Sequence, residues 1–557
     1  MVKIGLYLCE CGPNIAEVID LDKIAEQIKK DNKVAGIERH KLLCSEDGKK
    51  FLVESIKKNE FERIVIAACS HKQHETTFME VMSSSGLNPY MFQLVNIREQ
   101  CAWMTPDKEA ATSKALRSIR AAINRVRYHD ALQQKEIDCN ADVIVVGGGI
   151  TGIEAALRTA QKNRKVYLIE EQELGGRLRE YGLLFPTMQP AQDFLNKKIS
   201  EVKNTGQIKV FENSKVKEIL GFFGNFVATI ENKNREEIKL NAGSVILAIG
   251  ANPFIPKGLA KFGYGKFDDV YTAAEFEKMT CSNNIITKSG NPPKSVAIIH
   301  CVGRKKLGYC SKVCCINSMK IARYIKEKLN GVKVIQFYKN LCLPDKRYDE
   351  FYKETREKGI EFLRFSDIEV IKEANQMMLK YKEENNNEDT LPVDMVVLST
   401  GLIPNPKTEE YAKMLNIPVD EYGFFKEEHV KLGPVSTITE GVFIAGCAQG
   451  PQSINDSIVQ AGAAAGKIIS SLVPGRRLQI ETKTSYVSET MCIGCGVCVD
   501  VCAYGALTID ESKRISVVNE VLCRGCGNCA SACPSGAARH RHFTTKQITQ
   551  EMIEILK

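Results

Sequence analysis

The sequence contains no apolar run of the roughly 18 residues that a membrane-spanning helix needs. Its first apolar stretch, Ile4 to Leu8, meets Glu10 before it can form a signal-peptide core. It has no low-complexity tract and no basic run interleaved with aromatics, and 76 basic against 68 acidic residues leave a formal charge of only +8. These absences argue against a membrane span, secretion and nucleic-acid binding, and the expected location is the cytoplasm. Apolar residues at 44% and charged residues at 26% describe packed cores rather than disorder. At 557 residues the chain is too long for one core, and about 150 residues per domain suggests three or four.

The excess is in cysteine, 21 residues. A secreted disulfide framework is the competing explanation, and the missing signal peptide and large cores point instead to metal or cluster ligation. The expected architecture is α/β in three parts. Residues 1–138 form an N-terminal α/β domain, residues 139–478 a two-dinucleotide-domain flavoprotein with an inner nucleotide-binding unit at about 260–370, and residues 482–557 an α+β ferredoxin-type domain.

In the last part, MCIGCGVCVDVCA places Cys492, Cys495, Cys498 and Cys502 at CxxCxxCxxxC, and LCRGCGNCASACP repeats the spacing with Cys523, Cys526, Cys529 and Cys533. Three cysteines of such a run take three corners of a [4Fe-4S] cubane, and the fourth ligates the other cluster. Cys533 is therefore expected to complete the first cluster and Cys502 the second. Zinc, which takes four ligands from paired CxxC elements, has no use for this spacing.

VIVVGGGITG is an apolar strand running into a GxGxxG turn, followed by a helix predicted from Ile153 to Lys162, a second strand, and Glu170 at its end. This is the dinucleotide fingerprint in its full context: the glycines let a pyrophosphate approach the backbone at a helix N-terminus, and the acid binds a ribose hydroxyl. The turn LGGRL, the strand SVILAIGANP and the segment VFIAGCAQGPQS occur in the order found in flavoproteins of the thioredoxin reductase type, which favours FAD over NAD. The candidate contacts are Gly147, Gly148, Gly149, Ile150, Thr151, Gly152, Glu170, Glu171, Gly175, Gly176, Arg177, Gly250, Gly446 and Cys447, the last standing where an aspartate is usual. The inner unit would carry NAD(P)H in such reductases, yet its turn reads CVGRKKLGYCSKVCC, with Cys301, Cys310, Cys314 and Cys315 and no GxGxxG. A cluster, a redox dithiol and inert buried thiols all remain open there, since adjacent cysteines on a helix project about 100° apart.

In the first part, the strands KIGLYL, ERHKLL, RIVIAA and MFQLVNI each run into a cysteine, Cys9, Cys44, Cys69 and Cys101. In a parallel sheet these ends share one edge, where they could hold a further [4Fe-4S] cluster, with Cys11 a fifth candidate. His71 and His74 read as the start of a solvated helix rather than as zinc ligands.

Together YLCECG, IAACSHKQHE, NIREQCAW, GGGITG, CVGRKKLGYCSKVCC, GCAQGP and the double ferredoxin run resemble the A-type, iron-sulfur flavoprotein subunits of the heterodisulfide reductases over nearly the whole chain. The resemblance implies an oxidoreductase subunit with FAD and several [4Fe-4S] clusters: two in the C-terminal module and one or two more. Its expected partners are B- and C-type subunits, an electron-donating hydrogenase or dehydrogenase subunit, and ferredoxin, in a complex holding more than one copy of the chain. In some complexes of this family the flavin bifurcates electron pairs. Larger members carry an inserted ferredoxin module after an FPT turn, whereas here FPTMQPAQDF from Phe185 runs on without a cysteine, so one branch of the electron wire is missing. Short forms also resemble subunits of quinone-interacting and benzoyl-CoA reductase complexes. The competing activity is a self-contained NAD(P)H-dependent disulfide or quinone reductase.

Overall fold

The computed structural model describes residues 2–160, 164–282, 284–373, 376–385 and 387–557. The chain folds into two compact units, one formed by Met1–Ile137 with Gln479–Lys557 and the other by Asp138–Leu478.

The first unit contains a four-stranded parallel sheet in the order Gly36–His40, Ile4–Cys9, Arg63–Ala68, Phe92–Asn96. Every residue of Ile4–Cys9 is buried, as expected of a parallel strand covered on both faces. The strand expected at ERHKLL lies earlier and ends at His40, because Ser45 caps the next helix, Glu46–Asn59, and accepts a hydrogen bond from the Gly48 N–H at 3.1 Å. The helix Lys108–Val126 packs its alanines and Ile119 under the sheet, and the C-terminal helix Thr545–Ile555 packs on that helix. Polar contacts fasten these two helices: Arg125 pairs with Glu551 at 2.6 Å, and Glu554 accepts from Asn124 at 2.7 Å and pairs with Lys33 at 3.2 Å. Burial pushes the Glu554 carboxyl up, but hydrogen bonds from Lys557, Lys33 and Asn124 outweigh it and hold the group down at about 2. The ferredoxin-like segment in this unit has two short helices, Val497–Asp500 and Asn528–Ala532, each entered through a glycine in the left-handed conformation, and two small antiparallel strand pairs, one a hairpin (Leu507–Asp510 with Ile515–Val518) and one joining its ends (Ser485–Val487 with Ala538–His540).

The second unit is built on two sheets. A five-stranded parallel sheet runs in the order Val442–Ile444, Ser244–Leu247, Val143–Val146, Val166–Ile169, Ile208–Phe211. The helix Ile150–Ala160 leaves its central strand; Lys162, the expected end of that helix, lies outside the described residues. The inner sheet has seven strands, in the order Val270–Thr272, Met395–Thr400, Ser295–Val302, Lys333–Tyr338, Glu361–Glu373, Gln376–Glu383, Glu388–Pro392, parallel except in the last two pairings. Ala251–Pro253 and Leu402–Pro404 pair as a two-stranded bridge between the sheets.

Candidate functional site

A cavity of about 340 Å³ in the second unit begins at the glycine turn. Gly147, Gly149, Ile150, Thr151, Glu170, Gly175, Gly176, Arg177, Gly250 and Cys447 all line it. A Cβ on Gly149 would meet no protein atom within 4 Å, so the space beside its backbone is free for a ligand. Gly152 is different: its Cβ would lie 1.8 Å from the Gly147 carbonyl oxygen, so only glycine lets the helix sit this close to the turn. Gly148 donates its N–H to the Glu170 carboxylate at 2.6 Å, which fixes the acid at the mouth of the cavity. Gly446 is held by Gln460, whose side-chain oxygen accepts its N–H at 2.7 Å, and a Cβ there would press on Thr151. Glu171 does not line the cavity; it is exposed and paired with Lys407. The Arg177 Nε is buried on the cavity wall without a hydrogen-bond partner, as expected of a donor that awaits an anionic ligand.

Sequence reasoning missed the ion pair at the inner end. Lys320 and Glu277 meet at 2.7 Å, both almost fully buried and both on the cavity wall. Lys320 also donates to the Leu183 carbonyl at 3.0 Å and lies 4.7 Å over the Tyr181 ring.

Cys314 lines this cavity and also a second, smaller one, whose wall includes Cys301, Cys310 and Cys315. The helix Cys314–Lys328 has begun by the time the two adjacent cysteines occur, so they point differently. The Cys314 Sγ lies 3.4 Å from the Thr400 carbonyl and that of Cys315 lies 3.9 Å from the Asn340 carbonyl. Even so, both reach the same small cavity. Burial pushes both thiols up to about 12, the opposite of the lowered value that marks a redox-active dithiol. A fifth thiol, Cys342, lies against Cys310 and Cys315. The signal for it was topological: it follows the strand Lys333–Tyr338, which pairs in parallel with the strand carrying Cys301.

In the first unit Cys9, Cys11, Cys44 and Cys69 come together: the thiols of Cys9 and Cys69 each feel those of Cys11 and Cys44. Arg98 Nη1 points at the Cys11 Sγ at 3.6 Å. Cys101 is not brought to this group. It sits in a π-turn, Arg98–Ala102, and is buried in the core that includes Ala111 and Ala115. His71 begins the helix His71–Ser84.

At the C-terminal end one cavity is lined by Cys492, Cys495, Cys498 and Cys533. Cys529 lies among Cys523, Cys526 and Cys502. The fourth cysteine of each run therefore sits with the first three of the other. Backbone N–H groups aim at these sulfurs: Ser516 at Cys492 (3.4 Å), Ala506 at Cys502 (3.3 Å), Ser485 at Cys523 (3.4 Å) and Ala538 at Cys533 (3.4 Å). Such donors stabilise thiolate charge, so the donor set suits cluster sulfurs.

Comparison with known proteins agrees with this division. Residues 141–461 match the pyridine nucleotide-disulphide oxidoreductase family and residues 491–537 the 4Fe-4S dicluster domain. The chain is 33% identical to the A-type subunit of the ferredoxin/F(420)H(2)-dependent CoB-CoM heterodisulfide reductase of Methanosarcina acetivorans, over 92% of this chain and 76% of that protein. It is 32% identical to an A-type iron-sulfur subunit of the CoB--CoM heterodisulfide reductase of Methanopyrus kandleri, over 91% of each. Both alignments run over 604 positions, more than the 557 residues here, so these relatives carry segments that this chain lacks. Among solved structures, thioredoxin reductase from Lactococcus lactis aligns with 59% of the chain and 98% of its own length at 18% identity and a TM-score of 0.43. Identity of about a third across nine-tenths of the sequence settles the matter of kinship: the chain is an oxidoreductase flavoprotein with a 4Fe-4S ferredoxin domain and belongs to the family of A-type heterodisulfide reductase subunits.

Proposed function

We propose that this chain is the electron-transfer subunit of a heterodisulfide-reductase-type complex, with FAD in the large cavity of the second unit and four [4Fe-4S] clusters on its cysteines. Bound FAD would supply exchange between electron pairs and single electrons, and the clusters single-electron relay. Gly147, Gly149 and Gly176 leave room for the pyrophosphate, Glu170 takes a ribose hydroxyl, and Arg177 supplies the missing partner for an anionic group. Cys301, Cys310, Cys314 and Cys315 hold one cluster; Cys9, Cys11, Cys44 and Cys69 hold a second, with Cys11 in the place that strand order alone would give to Cys101. The two C-terminal runs hold the other two, with Cys533 and Cys502 exchanged between them.

The observation that carries this reading is the shared wall. Cys314 belongs to both the flavin-sized cavity and the thiol cavity, so a ligand in each would be separated by little more than one side chain. Lys320, held in place by Glu277, sets an ammonium N–H donor at the same end, where it can meet negative charge that develops on reduction. No side chain is required as a catalytic acid or base. The relatives' names describe complexes using ferredoxin, F420H2 or CoB-CoM heterodisulfide. The partners we assign are B- and C-type subunits, an electron-donating hydrogenase or dehydrogenase subunit and ferredoxin, all in the cytoplasm, with more than one copy of this protein per complex. The missing FPT-turn insert removes one branch of the wire and weighs against bifurcation by this protein on its own.

Adding NADH to the anaerobic holoprotein and following flavin absorbance tests the reading. No response to NADH, with bleaching by reduced ferredoxin, is the expected result. Bleaching by NADH alone would favour the nicotinamide-dependent reductase instead.

A further inference from the structure

The first unit also contains a cavity of about 230 Å³ that the electron-transfer reading does not use. Its wall includes His129, His542, Arg125, Lys483, Glu75 and Tyr90, so both segments of the unit build it. His129 and His542 are about 4% and 3% exposed and stack at 4.4 Å. The Nδ1 of His129 lies 3.2 Å from the Tyr90 carbonyl, which can only accept, so this nitrogen carries the proton. Burial, then His542, Arg125 and Lys483, push the ring down to about 3, which keeps it neutral. Its Nε2 is therefore a bare lone pair, buried and without a partner.

Arg125 presents the complementary need. One terminal nitrogen pairs with Glu551 at 2.6 Å, the other donates to the His542 carbonyl at 3.0 Å, and its Nε is buried with no acceptor. Lys483 adds a second cation, paired with Glu75 at 2.8 Å. Two residues of the cavity wall thus carry a buried acceptor that wants a donor and a buried cationic N–H that wants an acceptor. Leaving both unmade is costly; Arg125 and Lys483 are each charge-paired, with Glu551 and Glu75, so the unpaired guanidinium N–H rather than net charge invites an oxyanion's lone pair.

We propose that this cavity binds a small oxyanion that keeps an O–H, of the hydrogen-phosphate class: its O–H donates to His129 Nε2 while another oxygen accepts from Arg125 Nε. Sulfate has the shape and charge of hydrogen phosphate but no O–H at neutral pH, so it would set an oxygen lone pair against that of His129. The site should reject it.

The test is equilibrium dialysis of radiolabelled inorganic phosphate and of sulfate at pH 7 against the anaerobic, FAD-saturated holoprotein, in which the flavin's own pyrophosphate site is filled. The expected result is one saturable phosphate site with Kd of about 1 mM or tighter, and sulfate weaker by about tenfold or more. H129F, which keeps the ring stack and loses the lone pair, should erase that preference. Lys483→Gln, a half-exposed position that leaves the core intact, should weaken phosphate binding in the wild-type preference order. Methyl phosphate at pH 6 separates the sources: binding tighter than inorganic phosphate assigns a monoester, and weaker binding assigns the free ion. Absence of saturable phosphate binding, or equal affinity for sulfate in the wild type, would overturn the proposal and leave the cavity to water.

Discussion

The two halves of the second unit start from the same plan and end with different chemistry. In each, a central parallel strand, Val143–Val146 or Ser295–Val302, delivers the chain to a turn at its carboxyl end and then to a helix. In the outer half only three residues, Gly147, Gly148 and Gly149, separate the strand from the helix, and as glycines they keep side chains out, so backbone and helix N-terminus face an open cavity. In the inner half the turn is longer, contains a short helical turn at Arg304–Leu307, and carries cysteines that line a small cavity. Strand and helix alone therefore do not decide what such a unit binds; the turn does. Because the two cavities share Cys314, the cluster proposed at the inner turn would lie beside the flavin proposed at the outer one.

The most severe way to break the contrast is Gly149→Val. No protein atom lies within 4 Å of the new Cβ, so the fold should persist while flavin content falls by at least tenfold, read as absorbance per mole of purified protein. Next, Cys314→Ser should remove about four iron per chain with flavin retained, whereas Cys342→Ser should remove none, which would separate the ligand at the shared wall from the bystander thiol. Third, Lys320→Met leaves Glu277 buried and unpaired and should cost about 3–5 kcal/mol of stability, read by chemical denaturation. The double variant with Glu277→Gln should recover most of it. If single and double variants are equally unstable, the pair does not act as a unit.

A smaller effect should leave both turns untouched. Glu554 has a folded-state value held down at about 2, below its unfolded value of about 4.3. Its contribution is therefore present above about pH 4.3 and lost as pH falls toward 2. His129 acts in the same direction, since a neutral buried ring at about 3 resists the protonation that an unfolded histidine takes up below about 6.5. Glu554→Gln should cost about 2 kcal/mol at neutral pH and flatten the acid limb of the stability profile without loss of flavin. The smallest effect is expected for Glu171→Ala, an exposed partner of Lys407, at under about 0.5 kcal/mol and with flavin unchanged.

The local motifs were legible in the sequence because their chemistry depends on spacing. The cysteine runs at 492–502 and 523–533 and the turn at 147–152 need their residues at fixed separations, and the exchange of Cys502 and Cys533 follows from that spacing. What was not legible depends on surfaces that meet across long separations. Nothing local says that the helix Lys108–Val126 receives Thr545–Ile555, since that pairing rests on complementary faces and on Asn124, Arg125, Glu551 and Glu554. Cys101 looked equivalent to its neighbours because it follows a strand, but the π-turn directs it into the core, and Cys11, two residues after Cys9, takes the edge position. Lys320 did leave a trace: it interrupts an apolar face of Ile316, Met319 and Ile321, and a lysine there needs a buried partner.

The central claim is that cysteines outside the C-terminal runs hold clusters next to the flavin cavity. Iron, acid-labile sulfide and FAD measured together on anaerobically purified protein test it most directly. The account requires one FAD with about 16 iron and 16 sulfide per chain; about 8 of each would confine the clusters to the C-terminal segment and contradict the assignment at Cys314.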